Sequence, residues 1–121
     1  MIIYIAGPMT GIPKFNYPAF YEAAKEMRKA GYAVINPPEN DSPEVQRAAL
    51  DSKHGDWVDL PITAGHNTLH DIVQQNVDDV LSSDGLCVLH GYAGSRGAMM
   101  EIALAERLNI PIRTLDYWLT L

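Results

Sequence analysis

Only one of the 121 residues is a cysteine, Cys87. A lone thiol forms no internal disulfide, so the chain must hold its shape by packing, and a reducing cytoplasmic setting suits it. Cys87 lies in the apolar run Gly85-Leu86-Cys87-Val88-Leu89, where a buried core thiol is expected rather than a nucleophile. Long apolar runs are missing too. No stretch approaches the roughly 20 residues of a membrane span, so no membrane partner is expected. No basic segment precedes the short apolar run at the N-terminus, which reads against a signal peptide. Positive charge is scarce: 9 Lys and Arg stand against 15 Asp and Glu, for a net charge of −6. Duplex nucleic acid wants a basic face and is not an expected partner. A mononucleotide remains open, because one phosphate needs only local donors. Metal-ligand spacing is absent as well. His54, His66, His70 and His90 are not tightly spaced, and neither CxxC nor HExxH occurs. His66 and His70 stand at i and i+4, as suited to an exposed helix start as to a ligand pair. There is no GxSxG elbow, and no GxGxxG follows a strand.

What is present fits one soluble globular domain over residues 1–121, with 47% hydrophobic and 20% charged residues. A chain of this length buries roughly two-thirds of its unfolded surface. Ile2-Ile3-Tyr4-Ile5-Ala6 is continuous and β-branched, as a strand buried on both faces should be. Asn16 suits a helix cap and Pro18 a first turn, predicting a helix from about Pro18 to Ala30 with Gly31 as its stop. Tyr32-Ala33-Val34-Ile35-Asn36 reads as a second strand, completing a right-handed βαβ unit. The stretch from Glu39 to Gly65 is polar and rich in breakers, with a short helix possible from Ser42 to Leu50. It is either a lid over a site or a mobile connector. Its large aromatic, Trp57, either stacks on a base or pins the loop to the surface. A helix from about Asn67 to Ser83 follows, with Leu69, Ile72, Val73, Val77, Val80 and Leu81 as its apolar stripe. Leu86 to Leu89 is a third strand. Ser95 caps a helix running to Leu108, and Ile110 to Leu115 is the last strand, its proline favouring an edge. The apolar Asp116-Tyr117-Trp118-Leu119 is a candidate interface. No internal repeat or low-complexity tract occurs. The whole predicts an α/β, flavodoxin- or Rossmann-like three-layer sandwich. Its parallel sheet would have four or five strands, with the first and third adjacent.

Two glycine-bearing turns sit where a buried strand hands over to a helix: Gly7-Pro8-Met9-Thr10-Gly11 and His90-Gly91-Tyr92-Ala93-Gly94-Ser95-Arg96-Gly97. In an open parallel sheet such turns lie at the carboxyl edge, where ligands bind. Drawn at 100° per residue, the helix after Ser95 puts Arg96, Glu106 and Arg107 on a solvent arc and Ala98, Ile102, Leu104, Ala105 and Leu108 on the inner one. Glu101 falls among the inner group. Burying it unpaired would cost several kcal/mol, so it either lines a cleft or is rotated out to the surface. Ser95, Arg96 and Gly97 begin that helix, where free N–H groups and the positive dipole end hold an anion. Ser95 acting only as a cap, with Arg96 merely solvated, is the plainer reading. Pro8 has no N–H, so the first turn is a weak phosphate nest on its own and is not a Walker loop.

Taken together, Tyr4-Ile5-Ala6-Gly7-Pro8-Met9-Thr10-Gly11 and Ser95-Arg96-Gly97-Ala98-x-x-Glu101-Ile102-Ala103 resemble the nucleoside 2-deoxyribosyltransferase superfamily. The likeness is greatest to its small phage and bacterial branch, similar to 2'-deoxynucleoside 5'-phosphate N-hydrolases. It covers most of the chain outside residues 39–65. It implies a flavodoxin-like sheet, homo-oligomers, and cleavage of the N-glycosidic bond of a deoxynucleoside or nucleotide without metal or organic cofactor. The nucleophilic glutamate falls on Glu101, and the aromatic residue near the sugar on Tyr4. Six residues before the nucleophile, the transferases carry an acid that contacts a free 5'-hydroxyl, and the nucleotide hydrolases a serine that contacts a 5'-phosphate. Ser95 at that place, with Arg96 beside it, favours a 5'-monophosphate. Gly7, Pro8, Met9, Thr10, Gly11, Gly91, Ser95, Arg96 and Gly97 would bind it. The family's aspartate near the sugar and leaving base falls on Asn76, which hydrogen-bonds but cannot relay a proton. Asp78 or Asp79 reaches that place only through a shift of register. A nucleotide-binding module without chemistry, a sensor or a sequestering protein, is the alternative that Asn76 favours.

Overall fold

Ile2–Ala6 (β1) and Gly85–Val88 (β3) form the middle of a four-stranded sheet, flanked by Ala33–Ile35 (β2) and Ile112–Thr114 (β4). The order is β2-β1-β3-β4 and every pairing is parallel. The structure, a computed structural model, describes residues 1–61 and 69–121. The expected helix start at 67–68 and the His66 half of the i, i+4 pair lie outside them, as do positions 62–65 of the polar stretch.

Alternation along the two central strands sorts their side chains between two helical layers. Ile3, Ile5, Cys87 and Leu89 face Tyr17–Lys29 (α1) and Leu115–Leu119 (α5), packing on Phe20, Ala23, Ala24, Met27 and Trp118. Tyr4, Ala6, Leu86 and Val88 face Leu69–Leu81 (α3) and Arg96–Arg107 (α4), packing on Val80, Ile102 and Ala105. The helix from β1 to β2 thus lies on one face and the helix from β3 to β4 on the other. Right-handed crossovers demand this when the winding direction reverses between β1 and β3. Cys87 is the expected core thiol, its pKa pushed up to about 12 by burial. Among the described residues no helix is long and apolar enough to cross a membrane.

Several local expectations are corrected. Asn16 does not cap α1 with its side chain: it adopts a left-handed φ of 59°, and its Nδ2 donates to the Pro8 carbonyl at 3.0 Å. Lys14 and Phe15 are left-handed as well, with φ of 61° and 52°. Tertiary contacts hold this unfavourable turn. The Lys14 amide donates to Ser52 O at 2.8 Å, and the Phe15 ring is buried. Of the apolar segment 116–119, Trp118 turns into the core at 2% exposed, while Tyr117 and Leu119 stay at the surface at 45% and 36%. The Trp118 indole lies where a β-carbon on Gly85 would come within 2.7 Å, and its Nε1 donates to Leu86 O at 2.8 Å. Leu81 and Leu108, placed inward by periodicity, are 54% and 44% exposed, each at the C-terminal end of its helix. Pro111 precedes the edge strand β4, and its carbonyl accepts the Leu86 amide at 2.8 Å.

Residues 39–61 of the polar stretch are built into the fold. Ser42 Oγ accepts the Val45 amide at 3.2 Å and caps Pro43–Asp51 (α2), whose Ala49 packs on Phe15 and Tyr17. Beyond it Gly55, at φ +65°, lies so close to the loop after β1 that a β-carbon would strike the backbone of Gly11 and Ile12. Gly55→Ala combines a left-handed backbone with that collision. It should lower stability by on the order of 2 kcal/mol or more, whereas Gly94→Ala, with open space at its β-carbon, should shift it by less than about 1 kcal/mol. Urea unfolding of the two variants checks this.

Candidate active site

The buried positions of α4 are Ala98, Glu101, Ile102 and Ala105, so the helix turns a carboxylate toward the sheet. Glu101 is only 5% exposed. Tyr4, at the centre of β1, faces the same layer, and its hydroxyl donates to Glu101 Oε2. Loss of water pushes the Glu101 carboxyl up from the ordinary 4.5 to about 7; the Tyr4 hydroxyl opposes this, and the negative charge of Asp79 adds to it. Burial, then the charge and hydrogen bond of Glu101, hold the Tyr4 hydroxyl well above 10.0. Tyr4 therefore stays a donor across the physiological range.

On α3, Asn76 is half-buried and three residues from Asp79, a spacing that shares one helix face. Asp79 accepts Asn40 Nδ2 at 2.9 Å and Gln75 Nε2 at 3.0 Å. Its charge reaches both Tyr4 and Glu101, whereas Asp78 is exposed and accepts Gln74 Nε2 at 3.2 Å. So the α3 carboxylate coupled to Glu101 is Asp79. Asn76 and Asp78 offered equally visible polar positions, and only the docking of α3 on α4 separates the three.

The two glycine turns lie side by side. A β-carbon on Gly91, at φ +84°, would come within 3.4 Å of Pro8 Cγ, and one on Gly7 within 2.9 Å of Leu89 Cβ. Ser95 caps α4, its Oγ accepting the Ala98 amide at 3.2 Å, which leaves the hydroxyl hydrogen to donate. Arg96 and Gly97 are exposed in the first turn, where amides lack intrahelical partners. A β-carbon on Gly94 would meet nothing within 4 Å, so this face is open to an approaching group.

The first turn offers an anion less than its sequence promises. The Gly11 amide is committed to Gly55 O at 2.9 Å, and the buried Pro8 has no amide hydrogen to give. Met9 packs against the cores on both sides of the loop. Thr10 is exposed, and its Oγ1 accepts Trp57 Nε1 at 2.9 Å. The sequence marks Trp57 as a stacking or pinning aromatic, but not its partner Thr10, which lies 47 positions away. Open hollows of about 420 Å³ (His70, Val73, Gln74, Val77) and about 530 Å³ (Ala48 and Asp51 to His54, with Asp59) lie elsewhere, neither lined by Tyr4 or Glu101. Among the described residues no group of three His, Cys, Asp or Glu is arranged to hold a metal ion.

The chain belongs to the family DUF4406, described as a domain of unknown function, which matches residues 1–114. That span includes Tyr4, Asp79, Glu101 and both glycine turns. No curated protein matches the sequence.

The raised Glu101 carboxyl has a consequence for stability. Between about pH 4.5 and 7 the folded chain binds more protons here than the unfolded chain, so stability falls as pH rises through that window. The loss should reach on the order of 3 kcal/mol by pH 8, and Glu101→Gln should remove that part of the slope. Urea unfolding from pH 4 to 8 measures both.

Proposed function

We propose that this chain cleaves or transfers the N-glycosidic bond of a (deoxy)nucleoside 5'-monophosphate, with Glu101 as nucleophile. The observation that carries the reading is the buried Glu101 carboxylate held by the Tyr4 hydroxyl at the point where the winding reverses. Ligands of open α/β sheets bind at that point. Glu101 lies six residues after Ser95, about 9 Å along the helix axis. That separation suits a sugar at the carboxylate and its 5'-phosphate at the start of α4. The resemblance to nucleoside 2-deoxyribosyltransferases supports the same assignment, including Ser95 as the phosphate-contacting serine.

The reaction takes two steps. A Glu101 oxygen bonds to the anomeric carbon as the C–N bond breaks, its electron pair leaving with the base, which takes up a proton. Water, or a second base, then attacks the glycosyl ester, releasing the Glu101 carboxylate; the attacking group's proton passes to solvent. This is the covalent logic of retaining glycosidases. Tyr4 holds the carboxylate in place, and Asn76 contacts the sugar or base. A non-catalytic nucleotide-binding module is the second reading, favoured by Asn76, whose amide relays no proton.

Incubation with each deoxynucleoside monophosphate, followed by chromatography, should release free base. Glu101→Ala should reduce release by about 10³-fold or more. Tight binding with no release establishes the binding module instead. Attack requires the ionised carboxylate, so kcat/KM should climb as pH rises toward about 7 and level off above it. A pH profile of base release checks the sign.

A further inference from the structure

Two carboxylates converge on Tyr4. Glu101 immediately precedes Ile102 on α4, and Asp79 immediately precedes Val80 on α3. Ile102 and Val80 lie in one buried cluster with Tyr4. Tyr4 serves Glu101 directly, as a donor. Asp79 is half-buried and braced on both oxygens by amides from different elements. Asn40 Nδ2, beyond β2, donates to Oδ2 at 2.9 Å, and Gln75 Nε2, one turn back on α3, donates to Oδ1 at 3.0 Å. Neither donor is charged, so the Asp79 charge is fixed in place without being neutralised. Burial first, and then this charge, raise the Glu101 carboxyl against the opposing Tyr4 hydrogen bond. The other charged groups of α3 and α4 (His70, Asp71, Asp78, Arg96, Glu106 and Arg107) are exposed, as is Arg113 of β4, and solvent screens them. Cys87 of β3 faces the opposite layer.

A fixed neighbouring charge penalises Glu101 only while Glu101 is itself charged. In the first chemical step, a Glu101 oxygen bonds to the anomeric carbon and the C–N electron pair leaves with the base. The carboxylate becomes a neutral ester, so the repulsion present before attack is gone after it. We propose that Asp79 is a positioning residue that acts through Glu101, its braced charge displacing the balance from free carboxylate toward the glycosyl ester. The inference rests on the function proposed above and supplies a driving force for its covalent step. The second step regenerates the carboxylate and works against the same charge, so Asp79 lengthens the life of the ester.

Two readouts test this on the full chain. An NMR titration of the Glu101 carboxyl, assigned with Glu101→Gln, gives its midpoint. Intact-mass spectrometry, after mixing with each deoxynucleoside monophosphate at pH 8 and quenching in acid, gives the fraction of chain carrying the sugar phosphate. Asp79→Asn should move the midpoint from about 7 part of the way toward 4.5. It should also lower the ratio of adduct to free chain, about tenfold for each pH unit by which the midpoint falls. Asp79→Glu should keep most of both. Asn40→Ala, which leaves the charge but removes one brace, should change both in the same direction by less. An unmoved midpoint in Asp79→Asn overturns the proposal, because a merely structural role predicts one. So does a lowered midpoint with the adduct unchanged, or base release by the native chain with no adduct; each leaves the assigned function standing. A native chain that neither forms the adduct nor releases base overturns the function and this inference together.

Discussion

Neither side of β1 or β3 meets water between Ile3 and Ala6 or between Gly85 and Leu89. A sheet with such a middle must be covered on both sides, and parallel pairing supplies the cover through crossover helices. Because β2 and β3 pair on opposite edges of β1, right-handed crossovers send α1 to one face and α3 and α4 to the other. The chain must then leave β1 and β3 in opposite senses, which opens the crevice between their two following turns. Gly7 lets those turns close up, since any side chain there would strike Leu89. The site is a consequence of how the sheet avoids water.

The same constraint makes Glu101 costly. A carboxylate facing the layer that buries Tyr4, Val80 and Ile102 loses its hydration, and one hydrogen bond from a phenol recovers about 1–3 kcal/mol of that. The balance is read in the direction of the shift: burial raises the pKa more than Tyr4 lowers it, and Asp79 tips it further. An alanine or leucine would suit the core of α4 better. A fold that retains an ionisable group against its own packing rule, at the edge where ligands bind, concentrates its local conflict where chemistry is possible.

Local periodicity was a good guide where a residue's surroundings are decided by its own element. The inward side of α4, its Ser95 cap and the double-sided burial of β1 all follow from spacing within short runs, whereas the adjacency of β1 and β3 was expected from the family resemblance. It failed where the partner is far away. Nothing near Gly11 signals that its amide is taken by Gly55, and nothing near Trp118 signals the bare patch that Gly85 offers it. Lys14, Phe15 and Asn16 prefer right-handed backbone, and only tethers to Ser52 and Pro8 hold them left-handed. Leu81 and Leu108 kept the right phase but ran past the end of the packed surface. Asn76 and Asp79 share a face, so ranking them required knowing how α3 meets α4.

The polar segment illustrates why composition is a poor guide to order. Its breakers suggest mobility, yet several of the described ones fix the chain. Ser42 caps α2, Ser52 Oγ donates to Asp59 and accepts the Gly55 amide, and Gly55 alone lets two backbones touch. Those contacts converge on residues 10–15, the loop that walls one side of the crevice. That loop is intrinsically strained, so its shape depends on what is bolted to it. A wall assembled from β1's own turn would relax toward right-handed backbone; one clamped by a segment 40 residues downstream keeps its geometry. The cost of ordering the wall is then met during folding, by contacts within the chain itself.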